Sequence, residues 1–286
     1  MKTFVFPGQG SQAKGMGGEL FDEFATLTKQ ADDILGYSIK QLCLDDSDDV
    51  LGQTEFTQPA LYIVNALSYY QQVKTTGVIA DFVAGHSLGE YNALLASGVF
   101  SFETGLRLVK KRGELMSRAT GGAMAAIVNS NEQEIVSILK DNGLTGVEIA
   151  NYNTPTQIVV SGLKEQVDKA AEFFKVGRIR FLPLKTSGAF HSSLMQFASD
   201  EFATFVEQFS FGPPAIPVIS NISAREYEDT EISAGLIKQI THSVRWTESI
   251  EYLLAKGEMS FVEIGNGIVL TKLIKGIEKA AAKKRT

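Results

Sequence analysis

An α/β fold with a smaller inserted unit follows from three features of the sequence. Short apolar runs alternate with longer stretches of helical periodicity along most of the 286-residue chain. One apolar run, IADFVA, ends in Gly85-His86-Ser87-Leu88-Gly89 and passes straight into an Ala/Leu-rich helical stretch. Between residues 122 and 185 the order of elements becomes β-α-β-β-α-β, the ferredoxin-like order.

The elements follow in chain order. Residues 3–6 form an apolar run stopped by Pro7-Gly8 and read as a first buried strand. The next stretch, GQGSQAKGMGG, is rich in glycine, so its backbone can approach another group closely. It matches a dinucleotide fingerprint only loosely and lacks that site's context. Helical patterns cover 19–35 and 58–74, the second with Pro59 near its start, a favoured place for proline. Residues 79–84 are the strand before the GHSLG turn, and EYNALLA is a helix stopped by Gly98. A helix over 102–117 ends before Gly121-Gly122.

The inserted unit then reads as strand 124–128, helix 131–142 capped by Asn131 or Ser130, strand 147–153, a turn at Thr154-Pro155, strand 157–162, helix 164–175 and strand 178–184. The larger pattern resumes with helix 192–208, a bend at Pro213-Pro214 and the strand IPVISN. Helices over 233–241 and 246–256, a strand MSFVEIG and a helix over 268–279 complete it. The tail AAAKKRT reads as a frayed end or a linker cut from a longer polypeptide. The predicted division is a large domain of residues 1–121 and 186–286 and a small domain of residues 122–185.

Composition narrows the function classes. Apolar residues are 44% and charged residues 21%, as in an ordered globular protein with a large core. A net charge of −6 argues against a general nucleic-acid binder. Cys43 is the one cysteine, at apolar spacing beside Leu42 and Leu44, and reads as a buried structural thiol. A single thiol makes no internal disulfide and fits a reducing compartment. No run approaches the roughly 18 apolar residues of a membrane span, and MKTFVF is too short for a signal peptide. The expectation is a soluble, cytoplasmic protein with no membrane partner.

GHSLG has the form G-x-S-x-G, and its strand–helix context makes it a nucleophile elbow. The glycines permit a sharp turn that lifts Ser87 over the N-terminus of the following helix, where N–H groups and the helix dipole favour an oxyanion. The N–H of Leu88, next after the serine, is the first expected oxyanion donor. A serine hydroxyl needs a base, and the chain has three histidines. His86 adjoins the serine within the turn and His242 lies near a helix end. His191, in TSGAFHSSLM, follows a strand and precedes a helix, where catalytic side chains gather in open sheets. His191 is therefore the candidate base. Many carboxylates could orient it, and the sequence does not choose among them. Arg112, in KKRGELM, is either a solvated charge beside Lys110 and Lys111 or a bidentate partner for a substrate carboxylate.

Five motifs, FPGQGSQ, GHSLGEY, RGELM, GAFHSSLM and VEIGNG, resemble in order those of the malonyl-CoA:acyl-carrier-protein transacylases, including free-standing acyltransferases that serve polyketide synthases. The resemblance runs from residue 3 to about residue 277. It implies an α/β-hydrolase-like core with a ferredoxin-like insert, and a transfer of malonyl from malonyl-CoA to the phosphopantetheine thiol of an acyl carrier protein. It implies Ser87 as the acylated nucleophile and His191 as its base. The N–H of Gln9 joins that of Leu88 in the oxyanion hole, and Arg112 pairs with the malonyl carboxylate. A backbone carbonyl at Gln239 orients the histidine in place of a carboxylate. Asn151 and Asn153 line the cleft, and Phe190 walls off malonyl C2. Malonyl-CoA is a substrate, and neither a resident cofactor nor a metal is implied. Asn266 replaces the family's usual proline in IGNG. The rival readings are an acyl hydrolase that clears carrier proteins and a silent carrier-binding scaffold. Arg112 disfavours the first, and the intact set of Ser87, His191 and Arg112 disfavours the second.

Overall fold

The computed structural model describes residues 1–175, 177–186 and 188–284. The chain opens with β1 (Lys2–Phe6), followed by α1 (Leu20–Glu23), α2 (Ala25–Leu35), α3 (Ile39–Leu44) and α4 (Thr54–Thr76). β2 (Phe82–Gly85) feeds α5 (Gly89–Ala96) and α6 (Phe102–Ser117). Next come β3 (Gly122–Val128), α7 (Glu132–Asp141), β4 (Val147–Thr154), β5 (Gln157–Leu163), α8 (Lys164–Phe173) and β6 (Arg180–Pro183). The last third holds α9 (Gln196–Val206), β7 (Val218–Ile219), α10 (Ile232–Gln239), α11 (Trp246–Ala255), β8 (Ser260–Glu263) and α12 (Val269–Lys284).

Two sheets result. The first is parallel, in the order β7-β2-β1-β8. The unbroken apolar runs of β1 and β2 suit central strands covered on both faces. Phe6 lies opposite Gly85, so the loop after β1 and the turn after β2 leave the sheet side by side at its carboxyl edge. Clefts form there in open α/β sheets. The second sheet is antiparallel, in the order β4-β5-β3-β6. Its β4 is joined to the segment before α11: the Tyr152 N–H donates to the Val244 carbonyl at 2.9 Å, and the Val244 N–H to the Ala150 carbonyl at 2.9 Å. Both sheets therefore contribute to one cleft.

Local structure departs from the sequence reading in several places. The helix expected over 19–35 breaks at Phe24, whose φ of −109° and ψ of 45° are not helical. α3 was absent from the reading, although its Cys43 is buried as expected, and burial pushes that thiol up to about 12. α4 starts at Thr54, so Pro59 sits in its second turn. The earlier start is fixed by the Gln53 carbonyl, which accepts from the Phe56 and Thr57 N–H groups. The helix after His191 starts at Gln196, because Ser192 is extended and Ser193–Met195 form a tighter turn. The expected frayed tail is helical to Lys284, while Arg285 and Thr286 lie outside the described residues. Among the described residues, no helix is long and apolar enough to cross a membrane.

Candidate active site

Ser87 sits at the tip of the turn between β2 and α5 with φ 52°, a left-handed backbone that is strained for serine. The flanking glycines make the turn possible. A Cβ on Gly85 would lie 1.9 Å from the Gly89 carbonyl carbon, and one on Gly89 would lie 2.0 Å from the Phe6 carbonyl oxygen. Asn221, just past β7, holds the turn from behind. Its Oδ1 accepts from the Ser87 N–H at 2.7 Å, and its Nδ2 donates to the Gly85 carbonyl at 2.6 Å.

His191 is buried and also adopts a positive φ, 58°. Its Nδ1 faces two carbonyl oxygens, that of Gln239 at 2.8 Å and that of His242 at 3.1 Å. Carbonyls only accept, so the proton resides on Nδ1 and Nε2 is the acceptor. The Ser87 hydroxyl donates to that Nε2 at 2.8 Å. Burial, with the nearby Arg112 guanidinium, lowers the His191 pKa to about 3. The ring is therefore neutral and able to take a proton at neutral pH.

Arg112 projects from α6 into the same space and is 1% exposed. Its Nη2 donates to Ser87 Oγ at 3.1 Å and to Gln239 Oε1 at 3.0 Å, and its Nη1 donates to Gln58 Oε1 at 2.7 Å. Its Nε has no hydrogen-bond partner among the described residues. The Tyr91 ring lies 5.7 Å from the guanidinium carbon. Burial lowers the Arg112 pKa, with Tyr91 and Glu90 acting in the opposite sense. A buried cation held only by neutral amides, a hydroxyl and a ring is a poor arrangement by itself. It is well suited to receiving a carboxylate.

A cavity of about 100 Å³ opens onto these groups and is lined by Gln9, Leu88, Met116, Asn151 and Phe190, among others. Around the elbow most N–H groups are engaged: Ser87 with Asn221, Gly89 with His86, Glu90 with Ser87. Across the cavity, Gly10 donates to Gln12 and Ser11 to Gly8. The N–H groups of Leu88 and Gln9 make no hydrogen bond among the described residues. Asn153 is not among the lining residues. Its Oδ1 accepts from His86 Nε2 at 2.8 Å, and the His86 ring packs edge-on against Trp246. The His242 ring is held by its own helix end, with Nδ1 2.8 Å from the Lys238 carbonyl. Only the His242 carbonyl reaches the site.

Three further residues were missed in the sequence. Gln58 is a buried amide in an apolar stretch of α4, Asn221 lies just past β7 at the sheet's carboxyl edge, and Glu90 is a carboxylate inside the Ala/Leu-rich α5. Each is a polar residue in an apolar setting, which is the signal that could have found it. No cluster of three or more His, Cys, Asp and Glu able to hold a metal occurs among the described residues.

Comparison with known proteins agrees with this arrangement. The acyl transferase domain family matches residues 3–285. The polyketide biosynthesis malonyl CoA-acyl carrier protein transacylase PksC of Bacillus subtilis (strain 168) is 56% identical over 283 residues, spanning 98% of this chain and 98% of that protein. A crystal structure of the malonyl CoA-acyl carrier protein transacylase from Burkholderia pseudomallei has a TM-score of 0.96 at 56% identity, over 98% of each chain. A malonyl-transacylase solved in complex with its type II polyketide synthase acyl-carrier protein has a TM-score of 0.92 at 36% identity, over 97% of this chain and 93% of that one. With the match running nearly end to end and a serine–histidine pair at the cleft floor, the chain belongs to the acyl transferase domain family.

Proposed function

We propose that the protein transfers a malonyl group from malonyl-CoA to the phosphopantetheine thiol of an acyl carrier protein, through a malonyl ester of Ser87. The observation that carries this reading is the buried Arg112 guanidinium 3.1 Å from Ser87 Oγ, with no carboxylate of the protein bridging it among the described residues. A hydrolase of neutral acyl groups has no use for a cation there. The name of the Bacillus relative supports polyketide biosynthesis as the pathway served.

In the first step Ser87 Oγ attacks the thioester carbonyl while its proton passes to His191 Nε2. The oxyanion is held by the Leu88 and Gln9 N–H groups, worth about 3–4 kcal/mol per donor. The C–S bond breaks, and the proton on Nε2 goes to the departing CoA sulfur. In the second step the carrier thiol gives its proton to His191 and attacks the ester. The Ser87 oxygen leaves with that proton, and the hydroxyl is restored. The carbonyls of Gln239 and His242 keep the ring in one tautomer throughout. A malonyl carboxylate on Arg112 also offsets the positive charge that depresses the His191 pKa. The dicarboxylic substrate thereby improves the base that attacks it.

The parallel sheet with its elbow supports an α/β-hydrolase-like reading of the larger part, residues 1–121 and 186–286. The order β4-β5-β3-β6, with α7 and α8 as its two connecting helices, supports a ferredoxin-like small domain over residues 122–185. Asn151 belongs to the acyl site, and Asn153 acts one layer back through His86. Initial-rate kinetics with malonyl-CoA and a holo carrier protein test the scheme. A covalent intermediate gives parallel double-reciprocal lines. Intersecting lines would mean direct transfer without an acyl-serine.

A further inference from the structure

Glu90 is the second residue of α5, three residues beyond the nucleophile, and it is fully buried. One carboxylate oxygen accepts from the Asn221 N–H at 2.7 Å and from the Tyr227 hydroxyl at 3.0 Å. The other accepts a short hydrogen bond from Gln239 Nε2. These partners lead to Ser87, Arg112 and His191. The Asn221 side chain clasps the Ser87 N–H and the Gly85 carbonyl. Gln239 donates its other amide hydrogen to the Ser87 carbonyl at 2.9 Å, its Oε1 accepts from Arg112, and its backbone carbonyl accepts from His191 Nδ1.

We propose that Glu90 is a positioning residue that fixes the Gln239 amide and the Asn221 backbone, and through them sets Arg112 for a carboxylate-bearing acyl group. The inference rests on the reading of Arg112 as the malonyl clamp. Its physical basis is polarity. Gln239 presents Oε1 to Arg112 while its Nε2 faces two acceptors, the Ser87 carbonyl and Glu90, and of the two Glu90 is the charged side chain. A glutamine at position 90 that still accepts from Asn221 and Tyr227 points its NH2 at the Gln239 NH2. An unturned Gln239 amide then opposes NH2 to NH2, and a turned one sets a donor at the guanidinium and an oxygen at the Ser87 carbonyl, so either arrangement disturbs the hold on Arg112. Protonation of Glu90 has a related effect, since one accepting oxygen becomes a donor. The groups that govern this proton are Arg112 from α6, Tyr227 from the segment after β7, and Tyr91 beside it on α5. Burial, the leading cause, raises the Glu90 pKa to about 7, while the bonds from Asn221, Tyr227 and Gln239 and the Arg112 charge act to lower it.

The test is rapid-quench mass spectrometry of Ser87 acylation by malonyl-CoA and by acetyl-CoA across the neutral pH range, with wild type, Glu90→Gln and Tyr227→Phe. For Glu90→Gln, malonyl acylation falls by about tenfold, as expected for hydrogen bonds to a charged group. Acetyl acylation falls less, and the acid limb of the wild-type profile disappears. For Tyr227→Phe, which removes one donor to the carboxylate, the limb moves to higher pH. A Glu90→Gln variant with wild-type malonyl rates, or with equal losses for both acyl groups and the limb intact, overturns the proposal. If that variant does not fold, an unmoved limb in Tyr227→Phe overturns it. Wild type that shows no preference for malonyl sinks the transferase reading and this inference together. A selective wild type with an indifferent Glu90→Gln sinks the inference alone.

Discussion

Arg112 Nη2 lies 3.1 Å from Ser87 Oγ, so the Ser87 hydroxyl donates to His191 while accepting from a buried guanidinium. One cation thus serves two ends. In the proposed reaction it stabilises negative charge developing on the serine oxygen and offers donors to a substrate carboxylate bound beside it. Lysine cannot replace it, because an ammonium has no planar fork to span Gln58, Gln239 and Ser87 at once.

Arg112→Lys is accordingly expected to slow malonyl acylation by about 10–100-fold, the value of one or two hydrogen bonds to a charged group. Acetyl acylation should change less. Rapid-quench rates with the two thioesters measure the difference, and equal losses would separate Arg112 from carboxylate recognition.

His191 has a native pKa lowered from 6.5 to about 3. Between those values the unfolded chain binds a proton that the native chain refuses. The stability contributed by the neutral ring is complete above about 6.5 and is lost as pH falls toward about 3. Urea midpoints measured against pH should show a shallower acid-side slope in His191→Ala than in wild type.

Gly89→Ala drives a methyl group to 2.0 Å from the Phe6 carbonyl oxygen, a backbone atom of the central strand. Neither partner can give way without moving the elbow. A loss of about 3 kcal/mol is expected, visible as a lower thermal midpoint, together with slowed acylation because Ser87 is displaced.

Phe190 is 5% exposed and lines the cavity next to the base. If it walls off malonyl C2, Phe190→Ser should improve methylmalonyl-CoA over malonyl-CoA by about 1–3 kcal/mol in relative specificity. The ratio of acylation rates for the two thioesters reads this directly. An unchanged ratio would move the selectivity elsewhere.

Much of this site was legible because its chemistry is carried by short local signals. Gly85 and Gly89 around Ser87 announce a turn that only glycine tolerates, and the unbroken apolar run before them announces a central strand. Histidine is scarce in this chain, which made His191 easy to isolate. The supporting residues were harder to read, because their roles depend on contacts between distant segments. Asn221 meets Ser87 across 134 residues and Gln239 meets Arg112 across 127. Nothing local to those positions announces the pairing. His242 drew notice for its ring, yet it is its carbonyl that faces His191. A backbone atom carries no residue-type signal at all. Helix ends differ from the periodicity where tertiary geometry overrides it, as at Ser192, which is extended beside the positive φ of His191.

A malonyl ester on Ser87, selected by Arg112, is the intermediate on which the proposed transfer depends. Intact-protein mass after brief mixing with malonyl-CoA and, separately, with acetyl-CoA tests it most directly in wild type, Ser87→Ala and Arg112→Ala. Expected are a malonyl adduct on wild type, none on Ser87→Ala, little acetyl adduct on wild type, and loss of the malonyl preference in Arg112→Ala. A malonyl adduct that survives in Ser87→Ala, or equal malonyl and acetyl labelling of wild type, would contradict it.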